Sequence, residues 1–438
     1  MGYAVRIALI AALGGFLFGF ETAVISGAEQ TIQKLWELSA SQLGLTVASS
    51  LFGTVLGSIL AGTPAQKYGR KPVLFFIAFL YLFSAIGCAS SQGLLMFVFF
   101  RFIGGVAVGA SSVVGPMYIS EIAPAKLRGR LAASFQLNIV LGIFVAYVSN
   151  YLLAGGGEES WRWMLGIMVV PAVLFTILIR FIPESPRWLI LNGKTEEAIP
   201  ILKRIGEMDV NKEIAEIQSS ISDHKESLFQ KKYRKPLLYA IILAMFNQLS
   251  GINAIIYYAK RIFAMAGFDD SSAYLQSIYI GTANLVFTLI AMAVIDRFGR
   301  KKLLLIGSAG MVIFLTLTAL AFRDTSVANP NVVWYLIGFI GFFGFSQGAV
   351  IWVFISEIFP NSVRSQGGSA GSFTHWIMAA IISYAFPVIV NMSPQGGFYS
   401  FVFYSVMMAL QFLFVWKFLP ETKGKSLEKI QEELGIPS

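Results

Sequence analysis

Tyr68-Gly69-Arg70-Lys71-Pro72 returns as Phe298-Gly299-Arg300-Lys301-Lys302, and each copy sits between long apolar runs. Two more fragments repeat in the same order. Tyr118-Ile-Ser-Glu121-Ile-Ala-Pro124, followed by Arg128, returns as Phe354-Ile-Ser-Glu357-Ile-Phe-Pro360, followed by Arg364. Pro183-Glu184-Ser-Pro186 returns as Pro420-Glu421-Thr-Lys423. The offset stays close to 235 residues throughout. Ordered matches at a near-constant offset describe a duplicated unit, and internal repeats among apolar segments are how many secondary transporters are built.

Working outward, the chain is 56% hydrophobic and 13% charged, with 38 Phe and 41 Gly. That apolar share exceeds what a soluble domain carries, and glycine lets membrane helices approach closely. A soluble protein with an unusually greasy core is the bland alternative, but too many runs reach the roughly 20 residues that span a bilayer. The runs fall at 4–26, 43–65, 72–90, 94–118, 131–153, 163–182, 236–259, 273–295, 303–322, 332–356, 367–390 and 397–419. The expected fold is an all-α membrane protein with twelve transmembrane helices in two pseudo-symmetric halves of six. The expected divisions are an N-terminal half at 1–182, a charged helical linker at 183–235, a C-terminal half at 236–419 and a tail at 420–438. The first run reads as a retained helix, because it lacks a small-residue cleavage site before a soluble domain.

Lys67, Arg70, Lys71, Lys126, Arg128, Arg130, Arg300, Lys301, Lys302 and Arg364 all fall on one side of this topology. The positive-inside rule makes that side, and both termini, cytoplasmic. The formal charge of +9 is therefore a topology signal and implies no nucleic acid. One cysteine, Cys88, excludes an intrachain disulfide, and the two histidines, His224 and His375, stand too far apart to suggest a zinc cluster. Asn192-Gly-Lys-Thr195 and Lys423-Gly-Lys-Ser426 lack the earlier glycine of a phosphate loop. No hydrolase or metalloprotease motif is present, so a transporter without a cofactor is expected in place of an ATP-driven pump or an enzyme. In the linker, Ala198, Ile199, Ile201, Leu202 and Ile205, then Ile214, Ile217 and Ile221, recur at helical spacing. They suggest helices that latch the halves together, with a solvated linker as the alternative.

Two charges lie inside apolar runs. Glu21 stands about five residues from the outer end of the first run, and Arg101 about seven residues into the fourth, or roughly 8 and 10 Å deep. An unpaired charge at the centre of a membrane helix costs about 2.5–3.5 kcal/mol, so the two invite pairing. The pair is either a proton site, with Arg101 setting how readily Glu21 ionises, or a static ion pair. The seventh run carries Asn247-Gln248-Leu249-Ser250-Gly251-Ile252-Asn253. Gln248 and Asn253 share a cavity only if the helix loosens between them, and Gly251 is where that is easiest. A broken helix at mid-membrane is a common place for transporter substrates. Asn284, His375 and Trp376 fall near mid-span elsewhere, and Trp352 and Trp376 offer flat apolar faces. Amides with flat aromatic faces suit a neutral polyhydroxylated ligand such as a sugar, the alternative being amides that bind helices together.

Taken together, these residues resemble the sugar porter branch of the major facilitator superfamily over essentially the whole chain. The signatures are Gly15 through Gly27, Tyr68-Gly-Arg-Lys71, Glu121 through Gly129, Trp161-Arg-Trp163, Pro183 through Leu189, Gln248 through Asn253, Asp296 through Lys301 and Pro420 through Gly424. The resemblance implies sugar contacts at Gln136, Asn247, Gln248, Asn253, Asn284, Trp352, His375 and Trp376. It implies proton coupling at Glu21 with Arg101, and a cytoplasmic gate of Arg70, Glu121, Arg128, Glu184, Asp296, Arg300, Glu357 and Arg364. Glu21 stands where the proton-coupled members carry Asp, Asn247 where a first Gln is usual, His375 where Gln or Asn is usual, and Gln66 where the first loop has an acid. Gln347-Gly-Ala349 stands where Trp-Gly-Pro is frequent. The expected activity is monosaccharide–proton symport, of a hexose or a pentose, by alternating access. Its partners are the sugar, the proton and membrane lipid, the working unit is a monomer, and short loops point to a bacterial inner membrane. A facilitative uniporter, a sugar sensor and a drug exporter are the alternatives.

Overall fold

The computed structural model describes residues 2–124, 127–206, 209–219, 227–324, 328–360, 362–423, 425 and 427–434. Among them are twelve helices long and apolar enough to cross a membrane. They run Tyr3–Leu35, Ala40–Leu60, Arg70–Ala89, Leu94–Ile122, Gly129–Leu153 and Ser160–Phe181, then Lys231–Tyr257, Asp270–Ala293, Arg300–Ala321, Val332–Ile355, Arg364–Met392 and Gly396–Phe418. No strand occurs among the described residues. The described residues therefore make an all-α chain with the twelve spans expected of an integral membrane protein.

The first span corrects the expectation of 4–26, since its helix continues to Leu35. Ser26, Glu29, Gln30, Thr31 and Gln33 interrupt the apolar run, but Ser26 and Glu29 are buried, so the helix goes on inside protein. The tenth span also departs from a single rod. It ends one segment at Phe345 and begins the next at Gln347, with Ser346 between them at φ −115°, ψ −83°. No proline is involved: the Ser346 hydroxyl donates to the Phe342 carbonyl at 2.6 Å, stabilising the turn from within.

Backbone contacts divide the chain into two compact units. The first holds residues 1–24, 49–149 and 155–224, and the second 25–48, 150–154 and 225–438. The first span thus contributes its N-terminal part to one unit and its C-terminal part to the other. Within the first unit, the second and fourth spans cross on small residues. A Cβ at Gly53 would come within 2.1 Å of the Phe102 carbonyl oxygen, and one at Gly105 within 1.8 Å of that of Ser50. Only glycine permits that approach, and dispersion across the bare backbones binds the pair. Outward faces are apolar: Phe76, Leu95, Ile313, Trp334 and Trp416 are all exposed, as lipid contact requires.

The charged linker buries its apolar face. Helices Pro186–Leu191, Thr195–Ile205 and Val210–Ser219 bring Leu189, Ala198, Leu202, Ile205 and Ile217 together with Ala4 at the start of the first span. This cluster belongs to the first unit. The tail helix Leu427–Leu434 likewise buries Ile430 and Leu434 against Tyr233, Val415 and Leu419 in the second.

Candidate functional site

Glu21 and Arg101 meet, both buried, with Arg101 Nη1 donating to Glu21 Oε1 at 2.5 Å. The first helix continues fourteen residues beyond Glu21 to Leu35, about 21 Å at the helical rise. Gly104 makes room for the pair, since a Cβ there would lie 2.5 Å from Ser84 Oγ and 2.8 Å from Glu21 Oε1. The contact is single-pronged. Arg101 Nε and Nη2 are buried without an acceptor among the described residues. A forked arginine–carboxylate pair uses two parallel hydrogen bonds; this one leaves half the guanidinium unused, which lowers what the carboxylate forfeits by letting go.

The seventh span breaks where the sequence requires. One helical segment ends at Leu249, and the next begins at Ile252. Gly251 between them has φ +83°, a conformation that side chains resist. The break brings Asn253 and Gln248 into contact: Asn253 Nδ2 donates to Gln248 Oε1 at 2.8 Å. Gln248 Nε2 in turn lies 3.0 Å from His375 Nε2 and donates to Asn247 Oδ1 at 3.0 Å. The His375 ring is flanked by Trp352, at 4.9 Å between centroids, and by Trp376, at 4.8 Å and nearly perpendicular. Trp352 is exposed at 38%, while Trp376, His375, Asn247 and Gln248 are buried. Six of the expected contact residues are therefore one connected group. Asn284 is buried on the eighth span without a hydrogen bond to that group, and Gln136 is half-buried on the fifth span in the first unit.

The repeated sequence motifs fold into the same clamp twice. In the first unit Arg70 forks onto Glu121, Nη2 to Oε1 at 2.7 Å and Nε to Oε2 at 2.8 Å, while Glu184 Oε1 accepts from the Arg70 backbone N–H at 2.9 Å. In the second, Arg300 Nη2 donates to Glu357 Oε1 at 2.9 Å, and Glu421 Oε1 accepts from the Arg300 backbone N–H at 2.9 Å. Each terminal glutamate thus satisfies the free amides at a helix start, where negative charge is also favoured by the helix dipole. Glu421 was not among the expected gate residues, although the repeat of Pro183-Glu184 at Pro420-Glu421 pointed to it. The side chains of Arg128 and Asp296 lie outside the described residues. Arg364 donates from Nε to the Phe359 carbonyl at 3.3 Å.

A further buried pair escaped the sequence reading. Arg261 grips Glu29 with Nε at 3.0 Å from Oε1 and Nη2 at 2.5 Å from Oε2, and Nη2 also donates to Gln33 Oε1 at 2.6 Å. All three residues belong to the second unit. Ending the first helix at residue 26 had placed Glu29 in a loop, where a carboxylate attracts no notice.

Comparison with known proteins matches residues 7–434 to the family described as "Sugar (and other) transporter". The arabinose-proton symporter of Bacillus subtilis (strain 168) is 38% identical over 443 residues, covering 99% of this chain and 95% of the relative. The glucose transport protein of Synechocystis sp. is 38% identical over 457 residues, covering 98% and 97%. The inward open structure of the xylose transporter from E. coli superposes with a TM-score of 0.88 at 34% identity, covering 98% of this chain and all of that one.

Proposed function

We infer the function of this chain from what it is: it belongs to the sugar porter family of the major facilitator superfamily. It is a membrane transporter and not an enzyme. We propose that it carries a monosaccharide, a hexose or a pentose, together with a proton by alternating access of two six-helix halves, 1–182 and 236–419. The observation that carries the sugar half of this reading is the connected group of Asn247, Gln248, Asn253 and His375 beside Trp352 and Trp376. Amides give a hydroxylated ring paired donors and acceptors, and the indoles cover its apolar faces. Asn284 and Gln136 are proposed as further contacts. Relatives described as arabinose– and xylose–proton symporters support the same substrate class.

The proton half rests on Glu21. Its single-pronged contact with Arg101 lets protonation release the carboxylate, and one proton moving down 100 mV supplies about 2.3 kcal/mol, enough for about a fifty-fold sugar gradient. The Arg70–Glu121–Glu184 and Arg300–Glu357–Glu421 clamps, with Arg128, Asp296 and Arg364, are proposed as the cytoplasmic gate. The chain is proposed to work as a monomer; the Lys/Arg asymmetry supports cytoplasmic termini, and its bacterial relatives support a bacterial inner membrane.

Liposomes loaded with the purified protein test this directly. Labelled glucose, xylose, arabinose, galactose and fructose are followed with and without an inward proton gradient. Accumulation above equilibrium that collapses with a protonophore is the expected result. In Glu21→Gln, exchange of sugar across the membrane is expected to persist while uphill accumulation is lost. Uphill accumulation by that variant would remove Glu21 from the coupling, and uptake by the native protein that stops at equilibrium would make it a uniporter.

A further inference from the structure

Beneath the residues proposed to touch the sugar, the second unit holds a run of amides that all donate in one direction. Asn253 Nδ2 donates to Gln248 Oε1 at 2.8 Å, Gln248 Nε2 to Asn247 Oδ1 at 3.0 Å, and Asn247 Nδ2 to Gln347 Oε1 at 3.3 Å. Gln347 Nε2 donates to Gln411 Oε1, Gln411 Nε2 to Ser308 Oγ at 3.0 Å, and the Ser308 hydroxyl to the Leu304 carbonyl at 2.7 Å. Gln347, Gln411 and Ser308 are wholly buried. Gln347 is also the first residue after the break in the tenth span, where the family pattern carries Trp.

A carboxamide has one accepting end and one donating end. Turning any one of these over sets N–H against N–H or oxygen against oxygen, so the orientation of each fixes the next. The direction is anchored at the far end, because a backbone carbonyl can only accept. At the near end, Asn253 Oδ1 receives no hydrogen bond from a described residue. The second N–H of Gln248 is directed at His375.

We propose that Gln347, Gln411 and Ser308 are positioning residues that set the facing of the Asn247, Gln248 and Asn253 amides, so that the pocket presents a carbonyl acceptor to one particular sugar hydroxyl. This rests on the sugar reading above. A hydroxyl at that place donates and satisfies the acceptor; fluorine or hydrogen there leaves it bare, and a site built to hydrogen-bond a hydroxyl rejects the analogue lacking it. Replacing Gln347 by Met keeps a chain of similar length but removes the acceptor for Asn247 and the donor for Gln411. The pocket amides are then free to turn.

The test uses the full chain in liposomes, with the sugar it transports and a series of monodeoxyfluoro analogues competing for uptake, one hydroxyl replaced at a time. In the native protein, fluorine at one position is expected to weaken competition by about tenfold, the scale of one hydrogen bond. In Gln347→Met that penalty falls to about twofold or less, while kcat for the parent sugar changes far less than KM, a split that a loss of folded protein does not produce. Ser308→Ala removes a single hydroxyl at the far end and carries the test if Gln347→Met does not fold; a smaller loss of discrimination at the same position is expected. An unchanged fluorine profile in the transporting variants overturns the relay and leaves the sugar reading standing. A native protein that takes up sugar without any position-dependent penalty overturns it too. A native protein that takes up no sugar overturns the reading on which it rests.

Discussion

At Gly251 a single missing side chain decides whether Gln248 and Asn253 can meet. Its φ of +83° would strain any other residue by about 1–2 kcal/mol, and a Cβ there would lie 2.4 Å from the Tyr404 ring. Gly251→Ala is therefore expected to lower thermal stability in detergent and to abolish sugar uptake even where protein remains folded. Uptake at native KM would show that the break is not needed. Asn253→Ala, which removes the amide at the open end of the run, is expected to raise KM by about tenfold with the melting temperature nearly unchanged. At this scale the sequence was informative where polarity stood out against an apolar background. Asn247, Gln248, Asn253 and His375 were visible because amides and imidazole are out of place in a membrane span. Their supports were not. Gln347, Gln411 and Ser308 lie on three other spans, and nothing local in those spans says which side chains will meet.

Among elements, the first span shows best how burial overrides composition. Its polar C-terminal turns ended the helix in a reading by hydropathy, yet they form helix because Glu29 and Ser26 are enclosed. The grip of Arg261 on Glu29 is what makes that enclosure tolerable. Removing one partner of a buried pair costs about 3–5 kcal/mol, whereas replacing both by apolar residues is frequently neutral. Glu29→Leu alone is accordingly expected to destabilise by about 3 kcal/mol, and Glu29→Leu with Arg261→Leu by much less, measured with the Arg261→Leu single as a double-mutant cycle on thermal unfolding. Additive losses would mean that the two charges do not depend on one another. The break in the tenth span was equally hidden, since Gln347-Gly-Ala349 has no proline and the turn is stabilised by the hydroxyl of Ser346, a residue that is compatible with an ordinary helix.

Over the whole molecule, duplication was the most legible property, because it needs only that the sequence be compared with itself. The two clamps share the glycine before the arginine and the terminal glutamate that caps its backbone. Gly69 and Gly299 have φ of +99° and +87°, and a Cβ at either would press on the glutamate below, 2.2 Å from Glu184 Oε2 or 2.6 Å from Glu421 Oε2. Gly69→Ala and Gly299→Ala are therefore expected to destabilise alike, each by about 2 kcal/mol, and to add in the double variant because the sites share no residue. A loss confined to one of them would show that the copies have diverged in strength. What the repeat did not reveal is the crossing of the first span from one unit into the other, since that division follows from contacts and not from sequence order. The clamps, by contrast, do not cross. Arg70, Glu121 and Glu184 lie in one unit, and Arg300, Glu357 and Glu421 in the other. Each unit therefore owns the complete device, and weakening one clamp leaves the other with every residue it needs.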